Sequence, residues 1–125
     1  MPLNPPDRLQ LLDIVLEVLE APPGMQPGAG MSYDARIALS LLRLIRRELE
    51  LGDRLAADET ARLAALLDET GATPALNAAL CGRLRQRQLD RADPALLQHL
   101  RLTTLAKLAI DNPRYSAYQR ACARQ

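Results

Sequence analysis

The chain holds one histidine and one lysine, and both fall on a single four-residue rhythm: His99, Thr103, Lys107, Asp111. At that spacing the side chains neighbour each other along one ridge of a helix. Inside a cleft, such a ridge makes His99 a proton-transfer group and Lys107 a contact for an anion. Catalysis would also require a perturbed environment around the imidazole. The plainer expectation is a solvated seam, with a Lys107–Asp111 ion pair worth a few tenths of a kcal/mol.

A second group follows directly, in Asp111-Asn-Pro-Arg-Tyr-Ser-Ala-Tyr118. Two of the three aromatic residues, Tyr115 and Tyr118, stand beside Arg114, which can pair with Asp111 or grip an anionic ligand. Asn112-Pro113 is a helix stop, and the simpler role of the tyrosines is to fasten the tail onto the rest of the chain. His99, Lys107, Asp111, Asn112, Arg114, Tyr115 and Tyr118 are thus the candidates for ligand or partner contact. No catalytic, cofactor-binding or metal-ligating set is assigned.

Arg83, Arg85, Arg87 and Arg91 form the densest basic stretch, with 83, 87 and 91 on one face of a continuing helix. Such a face can touch phosphates. Against it stand a net charge of +1, the nearby Asp90 and Asp93, and the absence of interleaved aromatics for bases to stack on. A solvated face is expected, and no nucleic-acid partner. Asn77, beside Leu76 and Leu80, is either a buried hydrogen-bonding residue or the edge of an apolar face. Nothing matches a P-loop, a dinucleotide fingerprint, a nucleophile elbow or a zincin helix.

The elements that would position these residues are helices. Leu (26) and Ala (20) make up over a third of the 125 residues, with no Phe or Trp and few β-branched residues. Proline and glycine mark the boundaries. Asn4 with Pro5 opens a first helix running to Glu20; residues 21–31 are a Pro/Gly-rich loop; Ser32 opens a second helix and Gly52 closes it. Asp58 caps a third that ends before Gly71. Thr73-Pro74 opens a fourth reaching about Gln88, Asp93-Pro94 a fifth ending at Asp111, and residues 114–125 form a short helical tail. The expected fold is all-α: one domain over 1–125, a bundle of about five helices.

The apolar residues are spread unevenly over those helices. In the first, Leu9, Leu11, Leu12, Ile14, Val15, Leu16, Val18 and Leu19 cover an arc of roughly 220°, wider than a surface helix needs. Asp13, Glu17 and Glu20 are left on a narrow acidic strip. In the second, Ala38, Leu41, Leu42, Ile45 and Leu49 centre a broad apolar face, with Arg36, Arg43 and Arg47 opposite. The acidic and basic strips serve either a partner interface or solubility, and solubility is the expected role. The fifth helix is apolar nearly all round and belongs in a bundle centre or an interface. This surplus predicts a homodimer or other complex over a monomer with a well-buried centre.

Cys81, Cys122 and one His make neither a disulfide framework nor a four-ligand zinc site. The stretch Leu9–Leu19 carries Asp13 and Glu17 and has no preceding positive cluster, so it is neither a signal peptide nor a membrane span. A cytoplasmic location is expected, with no membrane partner.

Arg47-Glu-Leu-Glu-Leu-Gly52, Leu76-Asn-Ala-Ala-Leu-Cys81 and above all Leu105-Ala-Lys-Leu-Ala-Ile-Asp-Asn-Pro-Arg-Tyr-Ser-Ala-Tyr118 resemble an uncharacterised family of small bacterial helical proteins, a domain of unknown function. The likeness runs from Leu9 to Tyr118 and is weakest over 21–30. Genes of that family often neighbour acyl-CoA dehydrogenases and aminoglycoside-phosphotransferase-like kinases. The resemblance implies a non-catalytic accessory or interaction module near acyl-CoA or phosphotransferase metabolism, and it transfers no catalytic residue. The alternative is a binder of an acyl chain or CoA ester, whose anionic head meets Arg114 or Lys107.

Overall fold

Two leucine pairs at four-residue spacing, Leu63/Leu67 and Leu76/Leu80, place one apolar stripe on each of two consecutive helices. The computed structural model describes residues 6–20 and 30–124. Among them five helices follow one another: α1 (Arg8–Glu20), α2 (Tyr33–Leu67), α3 (Thr73–Arg85), α4 (Pro94–Asp111) and the short α5 (Ser116–Ala123). The described residues contain no strand, and the fold is all-α. None of their helices is long and apolar enough to cross a membrane.

The helix starts follow capping chemistry. Asp7 and Gln10 form a reciprocal box at the start of α1, each side chain accepting the other's backbone N–H at 2.9 and 2.8 Å. The expected Asn4 cap lies outside the described residues, as does most of the 21–31 loop. Ser32 Oγ accepts the Ala35 N–H at 3.1 Å, and Asp93 Oδ1 accepts those of Ala95 and Leu96 at 2.8 and 3.1 Å, both as expected. Thr73 departs from expectation. Ala72 is the cap residue of α3, and the Thr73 hydroxyl instead meets Thr60 Oγ1 at 2.5 Å.

The larger correction concerns Gly52, which does not close a helix. α2 runs straight through it, and Asp58 is an exposed interior residue rather than a cap. A mid-helix glycine costs about 1 kcal/mol. The apolar rhythm continues through Leu51, Leu55, Leu63 and Leu67 with no proline from 33 to 67, and outweighs that cost. Gly52 marks a different boundary: the chain divides there into two compact units, Met1–Leu51 and Gly52–Gln125.

In the second unit the core is all-leucine. Leu63 and Leu67 of α2, Leu76 and Leu80 of α3 and Leu96 of α4 are buried together, with Ala64, Leu66, Ala79, Leu84 and Leu89 packed around them. Both α2 and α3 end in a left-handed residue that is not glycine, Asp68 (φ 53°) and Arg87 (φ 56°). Each is closed by a bond back over the last turn, Glu69 N–H to Ala64 O at 3.2 Å and Gln88 N–H to Arg83 O at 2.9 Å. α3 therefore stops at Arg85, short of the expected Gln88. α4 is not the centre of a bundle. Leu96 and His99 are buried while Leu97 and Leu100 are about half exposed.

The first unit is built differently. Only Leu16 and Leu39 are buried among its described residues. Beside them Arg46 Nε donates to Asp13 Oδ1 at 2.5 Å and Arg43 Nε to Glu20 Oε1 at 3.0 Å, joining α1 to α2. Arg46 also reaches Glu50 within its own helix at 2.7 Å. Glu20 of the acidic strip thus meets Arg43 of the basic one, while Asp13 meets Arg46, which lies outside that strip, and Arg36 stays exposed. On the apolar face expected of α2, Leu41 and Ile45 are exposed while Leu42 and Leu49 are half-buried, because Arg43 and Arg46 are held towards the carboxylates of α1.

Candidate functional site

Residues three and four apart share a helix face. His99 thus follows Leu96 into the interior of the second unit, and only 4% of it is exposed. Opposite, on α2, Glu59 and Arg62 flank Leu63; from α3, Asn77 follows Leu76. These placements gather five polar groups. Arg62 Nη2 donates to Thr103 Oγ1 at 3.2 Å, and Asn77 Nδ2 approaches Glu59 Oε1 at 3.5 Å. His99 lies within the fields of both Arg62 and Glu59.

Burial lowers the His99 pKa by penalising the imidazolium. The neighbouring Arg62 guanidinium lowers it further, and Glu59 opposes them. The ring is therefore neutral at physiological pH. Two buried nitrogens of the cluster, His99 Nδ1 and Arg62 Nε, have no hydrogen-bond partner among the described residues. A buried polar atom left unpaired costs on the order of 1–3 kcal/mol, so the cluster is a locus of polar strain. At 4% exposure the imidazole offers substrate almost no face.

The other sequence candidates do not join it. The ridge divides along its length: His99 is buried, Thr103 half-buried, and Lys107 and Asp111 are exposed, with no ion pair between them. The expected solvated seam thus fails for His99, because α4 turns its first half towards α2. Asn112 ends α4 by donating its N–H to Leu108 O, and Arg114 is exposed. Tyr115 is the cap residue of α5 and 49% exposed. Tyr118 is half-buried beside Cys122, and a hydrogen bond with that thiol pushes its pKa up. Both cysteines are free. α5 is tied to α4 by Arg101, whose Nη2 donates to Ala121 O at 3.4 Å.

The profile of a domain of unknown function, DUF6285, matches residues 27–115, well over half the chain. The chain belongs to this family. Neither a curated protein nor a solved structure matches it. The DUF6285 match takes in α2, α3 and α4, hence Glu59, Arg62, Asn77, His99 and Thr103 together. α1 and Tyr118 lie outside it, so the shared region is narrower than the likeness from Leu9 to Tyr118.

Glu59 and Arg62 are the members of the cluster that sequence reading missed. The sequence pattern places both on the short third helix expected from an Asp58 cap. The available signal was Leu63 itself: in a helix continuous from Tyr33 to Leu67, residues 59, 62 and 63 share one flank.

Proposed function

We propose that this DUF6285 protein is a non-catalytic helical interaction module, self-associating and docking a partner enzyme through its first unit. One observation carries the reading: α1 and α2 spend their ion pairs on each other and turn aliphatic side chains outward. On α1 these are Leu11, Ile14, Val15 and Val18, each 45–53% exposed. On α2, Tyr33, Ile37, Leu41 and Ile45 are 42–70% exposed. The α2 residues are four apart, so they form one straight ridge. Ridges of that kind interdigitate with their own copy across a two-fold axis. The α1 face is left for a different protein.

The resemblance to a bacterial family encoded beside acyl-CoA dehydrogenases and phosphotransferase-like kinases supports an acyl-CoA or phosphoryl-transfer enzyme as that protein. A cytoplasmic setting accords with such a partner. The oligomeric state is the test. Light scattering on the gel-filtered chain is expected to give at least twice the 13.8 kDa of one copy, and Leu41→Glu is expected to reduce it to one. A wild-type monomer at micromolar concentration overturns self-association. Val15→Glu is expected to keep the oligomer and lose the enzyme on co-purification. Native mass spectrometry showing a retained acyl chain or CoA ester would favour the binder instead.

A further inference from the structure

The basic stretch that begins in the last turn of α3 is not one helical face. Because α3 stops at Arg85, its arginines are distributed around a turn, each with a separate fate. Arg83 is engaged by an ion pair with Glu69. Arg85, Arg87 and Arg91 are exposed, have no ion-pair partner among the described residues, and line one concavity of about 530 Å³ together with Leu84, Leu89 and Asp90.

Three features make this more than a solvated cluster. First, the nearby acids serve the backbone: Asp90 Oδ1 accepts the Ala92 N–H at 2.9 Å, and Asp93 caps α4. Second, the turn is anchored, since Leu84 and Leu89 pack against the leucine core and Arg87 N–H bonds to Leu84 O at 3.2 Å. Third, Arg87 occupies the left-handed position that normally selects glycine. The turn thus fixes the backbone from which the Arg87 side chain projects.

We propose that this concavity binds a small molecule bearing a diphosphate or comparable polyanionic group. Planar guanidinium forks match phosphate oxygens in pairs, and three of them spread around the turn offer separate forks to the oxygens of two linked phosphates. Leu84 and Leu89 supply an apolar floor. A nucleic-acid strand is disfavoured, because no aromatic side chain lines the site and the chain carries a net charge of only +1. The proposal does not depend on docking through α1 and α2.

The test is an NMR titration of the ¹⁵N-labelled full chain with inorganic pyrophosphate at about 0.15 M salt. Saturable shifts are expected at the Arg87, Gln88 and Leu89 amides and the Arg85 and Arg91 Nε–H groups, with inorganic phosphate weaker by about tenfold or more. Arg87→Gly relieves the backbone and is expected to raise Tm while weakening pyrophosphate about tenfold, so lost binding is not lost folding. Arg91→Gln, away from the strained position, is expected to weaken it similarly. Exposed Arg54→Gln is expected to change nothing. The absence of saturation overturns the proposal, as does equal weakening by Arg54→Gln. A single-stranded RNA that binds more tightly and is not displaced by pyrophosphate also overturns it.

Discussion

The two units of the chain resolve the same ingredients in opposite ways. Met1–Leu51 pairs Asp13 with Arg46 and Glu20 with Arg43 along the seam between α1 and α2, and sends much of its aliphatic surface outward. Gly52–Gln125 closes on five buried leucines, and places its polar cluster against them. Exposed ion pairs contribute roughly 0–1 kcal/mol each, whereas each fully buried leucine contributes about 1.5–3 kcal/mol. The first unit is therefore the one whose stability depends most on what covers it.

The largest predicted effect tests that contrast directly. Leu63 is wholly buried, so Leu63→Ala is expected to cost about 2–5 kcal/mol in chemical denaturation of the second unit. Leu41 is 56% exposed, and Leu41→Ala is expected to leave the monomer within about 0.5 kcal/mol of wild type while weakening self-association. Equal losses at the two positions would break the comparison.

A second effect separates the units by pH. Hydrogen bonding to Arg46 holds the Asp13 carboxyl below the usual carboxylate range. A lowered folded-state pKa stabilises above the unfolded value and is lost as pH falls through the folded one. Amide exchange in α1 is expected to accelerate below about pH 4, and Asp13→Asn is expected to flatten that dependence. In the second unit the titrating group is His99. Its pKa is also lowered, so the unfolded chain takes up the proton first, and stability is lost as pH falls below about 6.5 towards the folded value. Denaturation of His99→Leu is expected to lack this slope between neutral and mildly acidic pH. A slope that survives the substitution would assign it to another group.

These pH effects bear on what was legible in the sequence. Helix content, the Ser32 and Asp93 caps and the Asp111 stop were readable, because they depend on neighbours a few residues away. The continuity of α2 was not, since Gly52 and Asp58 are local stop and cap signals that the proline-free leucine rhythm on either side overrides. The acidic strip of α1 and the basic strip of α2 were both visible, but the Glu20–Arg43 pair between them was not, because periodicity defines a face without its partner. His99 was seen as a candidate. Its burial against Arg62 became apparent only once α2 and α4 were placed together in the second unit.

The smallest effect concerns the two left-handed helix ends of the second unit. Asp68 and Arg87 hold φ values of 53° and 56°, where a side chain opposes the backbone and glycine does not. Aspartate tolerates this region better than arginine, because its short polar chain can bond locally. Arg87→Gly is therefore expected to stabilise the chain by about 0.5–1 kcal/mol, and Asp68→Gly by less. Both gains would read as small rises in Tm with an unchanged denaturant slope. The order matters more than the size. If Asp68→Gly stabilised as much as Arg87→Gly, Arg87 would carry no special strain, and the second unit would hold its arginine turn at no more cost than an ordinary helix end. If Arg87→Gly destabilised, the guanidinium would be making a folded-state contact, and the turn would belong to the packing of the unit.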